Sequence, residues 1–350
     1  MKKTLLMLVL AAFTANAALA VSEPSASTPV KKSVVKKKAS KKRHHKRVRH
    51  AQEYRAPTPL RTLSVNTESA WDQSTLELKS AAAIVVNQET GEALYAKNIE
   101  VPTAIASITK LMTAMVTLDA ELPMDEVITI SEEDIDRLKG THSKLTLGAR
   151  VTRDELLHLA LIASDNRAAA ALSRAYPGGR GAFVMAMNAK ASELGMEHTH
   201  FVDGTGLYSS NRSTAVDLVK MVDAASQYPL LHQITSSGSY DIDLPSKRIV
   251  RIREHGHLKR VARESTHRVT VNNTNALTRS DEWEIGLSKT GYINEAGRCL
   301  VMQAKIAQRK VIIVLLDSWG KWTRLGDANR IKKWLEHNDR FAKRASREAA

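Results

Sequence analysis

Ser107-Ile108-Thr109-Lys110 opens the stretch of sequence that decides the fold, residues 107–118. The apolar residues of this stretch recur at the spacing of a buried helix, and Ser107 stands in the position of an N-cap. Ser107 and Lys110 are one helical turn apart, so their side chains share one face of the helix. A serine hydroxyl becomes a nucleophile when a base removes its proton, and a buried lysine with a lowered pKa serves as such a base. The stretch therefore predicts a nucleophile beside its base.

The Ser-x-x-Lys spacing is not specific by itself, because it also occurs at Ser33–Lys36 and Ser318–Lys321. Only Ser107 lies behind a predicted hairpin and ahead of an apolar helix. Two further triplets follow it. Ser164-Asp165-Asn166 lies at a predicted helix end, and Lys289-Thr290-Gly291 lies inside a predicted strand, where the glycine would let a substrate backbone approach closely. Taken alone, the first of these two triplets could be only a helix cap and the second only a strand end. The order of the three triplets along the chain and their structural contexts favour one composite site.

The pattern around these triplets predicts an α+β domain. The predicted elements are strands at 81–87 and 93–96, helices at 107–118, from 152 to Ser164-Asp165-Asn166, 168–194 and 214–225, strands at 285–290, 299–306 and 311–316, and a last helix at about 321–337. The order places strands at both ends of a helical middle. We therefore expect the first and last strands to share one antiparallel sheet.

Charge is concentrated in one segment of the chain. Residues 31–50 hold eleven Lys and Arg and no acid, so the rest of the 350-residue chain accounts for only +4 of the net +15. Residues 21–80 are predicted to form a basic, disordered arm, because a dense block of like charge cannot pack. The arm is either a solvated spacer or a segment attracted through residues 31–50 to an anionic membrane or wall surface. Nucleic acid is not an expected partner, because an exported protein seldom meets it.

The N-terminus predicts export. Lys2 and Lys3 precede an apolar run over 5–13, and Ala18-Leu19-Ala20 resembles a cleavage site, so residues 1–20 are predicted to be a signal peptide. The apolar run is too short to span a bilayer. The single Cys299 cannot form an internal disulfide. We expect a periplasmic protein without a transmembrane anchor, with its catalytic domain at residues 81–350.

The three triplets resemble those of the penicillin-binding proteins and class A β-lactamases. The resemblance to low-molecular-mass penicillin-binding proteins covers roughly residues 80–340 and includes Thr205-Gly206-Leu207 and Asn273-Thr274-Asn275. Residues 286–297 are most similar to the D-alanyl-D-alanine endopeptidase branch, the penicillin-binding protein seven type. Gly204 departs from the pattern, since carboxypeptidase relatives often carry Pro there. The resemblance implies a penicillin-binding transpeptidase-like (β-lactamase-like) fold, in which an antiparallel sheet packs with helices beside an all-helical lobe.

The resemblance also implies catalytic roles. Ser107 would be the acyl-accepting nucleophile and Lys110 its base, with Lys289 holding the pKa of Lys110 down. Ser164 would relay a proton to the leaving amine. Asn166 would bond Lys110 and the substrate amide.

Substrate-binding residues are implied at the third triplet. Thr290 would bind the substrate carboxylate beside Gly291, and the backbone N–H groups of Ser107 and Tyr292 would form the oxyanion hole. No cofactor and no metal are expected. His255-Gly256-His257 is interpreted as an exposed loop rather than a metal site.

The leading interpretation is an exported serine D,D-peptidase that hydrolyses cross-links between peptidoglycan peptide stems through an acyl-enzyme and is inhibited by β-lactams. A D,D-carboxypeptidase is second, because such relatives commonly add a second β domain and an amphipathic anchor, whereas this chain ends about ten residues after its predicted last helix. A class A β-lactamase is third, because Glu-x-x-Leu-Asn is absent between Ser164 and Lys289. A non-enzymatic wall-binding or β-lactam-sensing protein is the remaining alternative.

Overall fold

The computed structural model describes residues 62–68, 71–254 and 257–348. The predicted signal peptide, the basic segment 31–50 and His255-Gly256 lie outside these residues and stay predictions. Within the described ranges, no helix is both long enough and apolar enough to cross a membrane.

The strands are β1 (Ser80–Asn87), β2 (Ala93–Lys97), β3 (Thr103–Ala104), β4 (Val127–Thr129), β5 (Arg150–Thr152), β6 (Arg212–Ser213), β7 (Ser239–Glu254), β8 (His257–Asn272), β9 (Glu284–Ile293), β10 (Gly297–Ile306) and β11 (Arg309–Ser318). The helices are α1 (Thr109–Asp119), α2 (Arg153–Ile162), α3 (Asn166–Arg174), α4 (Gly179–Glu193), α5 (Ala215–Ser226), α6 (Pro229–Ser236) and α7 (Thr323–Glu348). Short 3-10 turns cover Ala106–Ile108, Glu132–Asp134 and Ala276–Arg279.

One five-stranded sheet in the order β2-β1-β11-β10-β9 organises the molecule. Its neighbouring strands are antiparallel, with Ile84 opposite Val314 and Val301 opposite Lys289. The first two and last three strands therefore share a sheet, and the predicted α+β class is confirmed. β9 forms one edge of this sheet, and the third triplet lies on that edge strand.

Each face of the sheet buries its own core, because side chains alternate along a strand. In β1, Ile84 and Val86 belong to a cluster shared with helices α1 to α6. Ala83 and Val85 belong to a second cluster, in which Ile331 and Leu335 of α7 lie against the other face. The sheet is thus covered on both faces, which explains why its central strands are continuous apolar runs.

Two helix predictions are wrong in their boundaries. Ser107 is not the N-cap of α1, because it lies in the 3-10 turn that precedes α1, and Ile108 occupies the cap position. The predicted helix over 168–194 is two helices, α3 and α4. Pro177 lies between them and is followed by Gly178 and Gly179, whose φ angles of 83° and 73° break the helical path.

The C-terminal helix is also longer than predicted. α7 continues to Glu348 rather than ending near residue 337. The residues beyond 337 therefore belong to α7 and do not count against a carboxypeptidase.

A long hairpin of β7 and β8 was not predicted. Its base is anchored by Ile242, Leu244 and Val271, which are buried. Farther out, Ile249 and Leu258 are exposed. Only the base of the hairpin has an alternating apolar pattern, at Tyr240, Ile242 and Leu244, and α6 beside it carries a helix start signal in Pro229.

The predicted arm ends earlier than residue 80. Leu63 is buried in the core on the helical side, and Leu76 and Leu78 are buried in the core beside α7. Asn66 also exchanges backbone hydrogen bonds with the turn before β2. The extension of the arm over residues 62–68 and 71–79 is therefore wrong, because apolar side chains in this segment complete both cores.

Candidate active site

Ser107 and Lys110 meet where the 3-10 turn runs into α1. Lys110 is fully buried, and its Nζ lies 2.8 Å from the Oγ of Ser107. The turn is tightly enclosed: a Cβ on Gly206 would lie 2.0 Å from the carbonyl oxygen of Ala106, and one on Gly291 would lie 2.8 Å from that of Ile105. Gly206 and Gly291 thus allow close packing around the 3-10 turn that holds Ser107.

Lys110 has three hydrogen-bond acceptors around its Nζ. Besides Ser107, they are the Oδ1 of Asn166 and the carbonyl oxygen of Thr205, both at 2.6 Å. The amide and carbonyl oxygens can only accept. A neutral Lys110 amine has two hydrogens for these two oxygens, so its lone pair is left facing Ser107. The geometry therefore prepares Lys110 to take the proton of Ser107.

The pKa of Lys110 is lowered to about 8, and burial is the largest cause. The carboxylates of Asp203, Asp165 and Asp136 oppose this effect. Burial, followed by repulsion from Lys110 and Arg324, lowers the pKa of Lys289 well below its ordinary value. Burial, and not the charge of Lys289 that the resemblance implied, is thus the main reason that Lys110 can lose its proton.

The second triplet joins two helices and faces the cleft. Ser164 has a φ of 57°, a left-handed conformation that separates α2 from α3. Asp165 is the N-cap of α3, with its carboxylate accepting from the backbone N–H of Ala168. The triplet therefore caps a helix, through Asp165 at the start of α3, and it also places Ser164 beside Lys289. The Oγ of Ser164 accepts a hydrogen bond of 2.8 Å from the Nζ of Lys289.

The orientation of Asn166 depends on two residues that the sequence did not single out. Thr141 donates its hydroxyl hydrogen to Asp136 over 2.6 Å, so its Oγ1 is free to accept from the Nδ2 of Asn166 at 2.9 Å. With Nδ2 held in this way, Oδ1 faces Lys110. Thr141 and Asp136 lie in an irregular loop and belong to no motif that could have revealed them.

The third triplet lies on the edge strand β9. Thr290 donates to the Oγ1 of Thr274 over 2.7 Å. Gly291 has a packing role that was not expected, because its missing Cβ leaves room for the turn at Ile105 and Ala106. Close approach of a substrate backbone at Gly291 stays a prediction. The hydroxyl of Tyr292 donates to the Oδ1 of Asn294 over 2.9 Å.

Arg324 of α7 is a third residue that the sequence analysis did not single out. It lies close enough to Lys289 to lower the pKa of that amine. Its Nε and Nη1 are buried and have no hydrogen-bond partner among the described residues. A buried guanidinium with unused donors is suited to an anionic group of a ligand.

A cavity of about 570 Å³ lies beside Asn166. Its lining includes Asp203, Gly204 and Tyr208. The loop at Gly204 is held firmly even without the proline of relatives: its carbonyl accepts from Thr113 at 2.6 Å, and a Cβ there would lie 2.2 Å from the Oγ of Ser173. The cavity therefore has a fixed wall next to the second triplet.

The sequence is similar to proteins of known activity. It is 44% identical over 260 residues to a D-alanyl-D-alanine endopeptidase of Pseudomonas aeruginosa, covering 74% of this chain and 78% of that protein. It is 41% identical over 270 residues to a D-alanyl-D-alanine endopeptidase of Escherichia coli, covering 77% and 81%.

The fold is similar to solved structures of the same class. The DD-transpeptidase of Streptomyces K15 superposes with a TM-score of 0.63 at 28% identity, over 76% of this chain and 98% of that one. Penicillin-binding protein D2 of Listeria monocytogenes, in its ampicillin-bound form, superposes with a TM-score of 0.58 at 28% identity, over 74% and 98%. These similarities confirm the penicillin-binding fold. The model of the D-alanyl-D-alanine carboxypeptidase family matches residues 67–320, and the chain belongs to this family of serine peptidases.

Proposed function

We propose that this hydrolase is an exported D,D-endopeptidase that cleaves D-Ala-containing cross-links between peptidoglycan stems through an acyl-enzyme on Ser107. The observation that carries the mechanism is the contact between Ser107 and a buried Lys110 whose other partners are obligate acceptors. The relatives at 44% and 41% identity, both named endopeptidases, support the choice of bond.

Acylation begins with transfer of the Ser107 proton to Lys110. The Oγ of Ser107 attacks the carbonyl carbon of the D-Ala on the acyl side of the scissile bond, and the carbonyl oxygen becomes an oxyanion. The backbone N–H groups of Ser107 and Tyr292 would stabilise that oxyanion, an interaction worth about 10²–10³ in rate per donor. Burial of Lys110 matters here, because an amine that stayed protonated could not accept the hydrogen.

Departure of the amine requires a proton donor on the other side of the cleft. Ser164 is placed for this role, since its Oγ accepts from the Nζ of Lys289 and its own hydroxyl hydrogen then points elsewhere. Ser164 gives its proton to the leaving nitrogen as the C–N bond breaks, and the proton that Lys110 took from Ser107 is passed on to Ser164. A water molecule then attacks the ester carbonyl and gives a proton to the neutral Lys110. Lys110 returns this proton to the Oγ of Ser107 as the ester C–O bond breaks, which frees Ser107 and leaves a new carboxyl group on the product.

Carboxylate binding is assigned to Thr290 and Arg324. On the leaving side of the scissile bond, the carbon of D configuration carries a free carboxylate. This is true both in a cross-link and at a D-Ala-D-Ala end. Thr290 follows Lys289 on β9, and its hydroxyl hydrogen would turn from Thr274 to the carboxylate when substrate binds. Arg324 offers buried guanidinium donors without a partner among the described residues. Asn166 retains a second Nδ2 hydrogen for the substrate amide.

A D,D-carboxypeptidase remains the second candidate. The matching family model is that of D-alanyl-D-alanine carboxypeptidase, and a carboxypeptidase of Bacillus subtilis is 31% identical over 251 residues. The two activities share the acyl-enzyme and differ in the leaving group. A β-lactamase or a non-enzymatic sensor has no comparable support.

The proposal also covers where the protein is located and what its basic arm binds. The sequence of residues 1–20 supports export to the periplasm, where peptidoglycan lies, and residues 31–50 would bind an anionic membrane or wall surface. β-Lactams would acylate Ser107, as the ampicillin-bound Listeria protein suggests.

The test is to incubate the purified protein with cross-linked muropeptide dimers and with pentapeptide monomers and to weigh the products. We expect monomers from the dimers and little release of D-Ala from the pentapeptides. Predominant release of D-Ala would identify the carboxypeptidase. Ser107→Ala is the control, and product formation by it would refute the acyl-enzyme.

A further inference from the structure

Three aromatic side chains lie exposed at one end of the sheet. Trp319 is 86% exposed, Trp322 is 62% exposed and Tyr292 is 52% exposed. We call these three residues the aromatic rim. Large aromatic side chains grouped on a surface mark interaction sites more often than isolated ones do.

The aromatic rim lies at the same end of the sheet as the active site. Tyr292 follows Thr290 by two positions on β9 and pairs with Arg298 on β10, which pairs with Ser318 on β11. Trp319 follows Ser318 directly. Because neighbouring strands are about 4.8 Å apart, Trp319 begins about 10 Å across the sheet from Tyr292. A ligand that extends beyond the cleft at Tyr292 can therefore reach the tryptophans.

Two cations accompany the aromatic rim. The guanidinium of Arg298 lies 4.5 Å from the ring centre of Tyr292, and the Nζ of Lys321 lies 5.1 Å from the ring centre of Trp322. The surface thus combines flat apolar faces with positive charge. It fits a polymer that has both ring faces rich in C–H groups and carboxylates.

We propose that the aromatic rim binds the glycan strand of peptidoglycan next to the cross-link in the cleft. This inference rests on the proposed function. Sugar rings would lie against Trp319 and Trp322, and carboxylates of the strand and its stems would pair with Arg298 and Lys321. A cross-link always joins two stems that are carried on glycan strands, so the polymer is present wherever the scissile bond is bound.

A lipid surface is the competing ligand, because Trp and Lys also favour membrane interfaces. The position of the aromatic rim argues against it. Tyr292 belongs to the rim, and its backbone N–H is assigned to the oxyanion hole. A bilayer lying on the rim would cover this side of the cleft, whereas a glycan strand attached to the substrate would not.

The test uses the full-length mature chain and the double variant Trp319→Ala/Trp322→Ala. We expect sedimentation with isolated sacculi to weaken by about tenfold in apparent affinity, and hydrolysis of sacculi to fall in parallel. Acylation by penicillin and cleavage of a sugar-free cross-linked peptide should stay unchanged. The double variant Trp319→Phe/Trp322→Phe retains flat rings and should restore most binding. Met185→Ala, at a residue 69% exposed on α4, is the matched control.

Unchanged binding of sacculi by the Ala variant would overturn the proposal. Equal losses of hydrolysis on sacculi and on the sugar-free peptide would also overturn it, because they would place the tryptophans in the peptide cleft. Loss of binding to anionic vesicles with sacculi unaffected would identify a lipid surface instead. Sedimentation with sacculi measures binding and does not require the protein to cleave its substrate. If the wild-type chain released no products while the aromatic variants still showed the expected binding pattern, the proposed function would fail and the glycan site would stand.

Discussion

The Nζ of Lys289 donates to the Oγ of Ser164 over 2.8 Å, across 125 positions of sequence. This contact links the edge strand β9 to the turn between α2 and α3, so the two walls of the cleft are joined at the site of chemistry. Lys110 makes the corresponding contact with Ser107. Each hydroxyl therefore has its own lysine, and in the proposed mechanism one pair would serve attack and the other departure.

The two lysines are expected to tolerate arginine differently. Arg keeps its proton at any working pH, so Lys110→Arg removes the base and should lower the rate of acylation by about 10³-fold or more. Lys289→Arg retains a donor for Ser164 and should lose about tenfold. The measurement is the second-order rate of labelling by fluorescent penicillin. Equal losses in the two variants would argue against a base role specific to Lys110.

The pH dependence of acylation should follow Lys110. Its pKa is lowered to about 8 by burial, so the rate should rise with pH through this region as the amine becomes neutral. The Asp165 carboxylate raises this pKa. Asp165→Asn keeps an N-cap for α3 but removes that charge, so the rising limb should move to lower pH. A limb that stays in place or moves to higher pH would contradict the assignment.

The sheet could be predicted because its strands are apolar runs bounded by turn residues, and the triplets because each stands at a recognisable helix or strand end. The start of the domain could not, since Leu63, Leu76 and Leu78 lie among polar residues without periodicity. The β7 and β8 hairpin was missed because most of it packs on nothing that would impose an apolar pattern.

Residues that act through the shape of the cleft left no sequence signal. Thr141 is brought to Asn166 by an irregular loop, and Arg324 is brought near Lys289 by the packing of α7 against the sheet. Neither position follows from spacing along the chain.

Thr141 is expected to position Asn166. Asp136 takes the hydroxyl hydrogen of Thr141, which leaves Oγ1 to accept from Asn166. Thr141→Val removes both bonds and should lower kcat/KM by about threefold to tenfold, the effect of losing one net hydrogen bond. Thr141→Ser keeps the hydroxyl and should retain most activity. Steady-state hydrolysis of a muropeptide dimer measures both, and equal activity of the Val and Ser variants would exclude the positioning role.

Cys299 should be unreactive in the folded protein. Burial raises the pKa of its thiol to about 11, and the Sγ donates to the carbonyl of Ala296 over 3.4 Å. The nucleophilic thiolate is therefore scarce and inaccessible at neutral pH. A thiol reagent should modify the chain only on unfolding in denaturant. Rapid labelling under native conditions would show that the sheet opens around β10.

The basic segment 31–50 is expected to bind an anionic surface by charge alone. Its eleven cations have no acidic neighbour, and raising salt shortens the screening length from about 10 Å at 0.1 M to about 3 Å at 1 M. Binding of the mature chain to anionic vesicles or sacculi should therefore fall steeply with salt.

The comparison is a truncated chain that starts at residue 62, which keeps Leu63, Leu76 and Leu78 in the two cores. It should sediment less at low salt and still hydrolyse a small soluble substrate at the full rate, because every described contact of the active site lies beyond its start. Equal sedimentation of the two chains would reduce the segment to a spacer. A large loss of soluble activity on truncation would show that residues before 62 also support the catalytic domain.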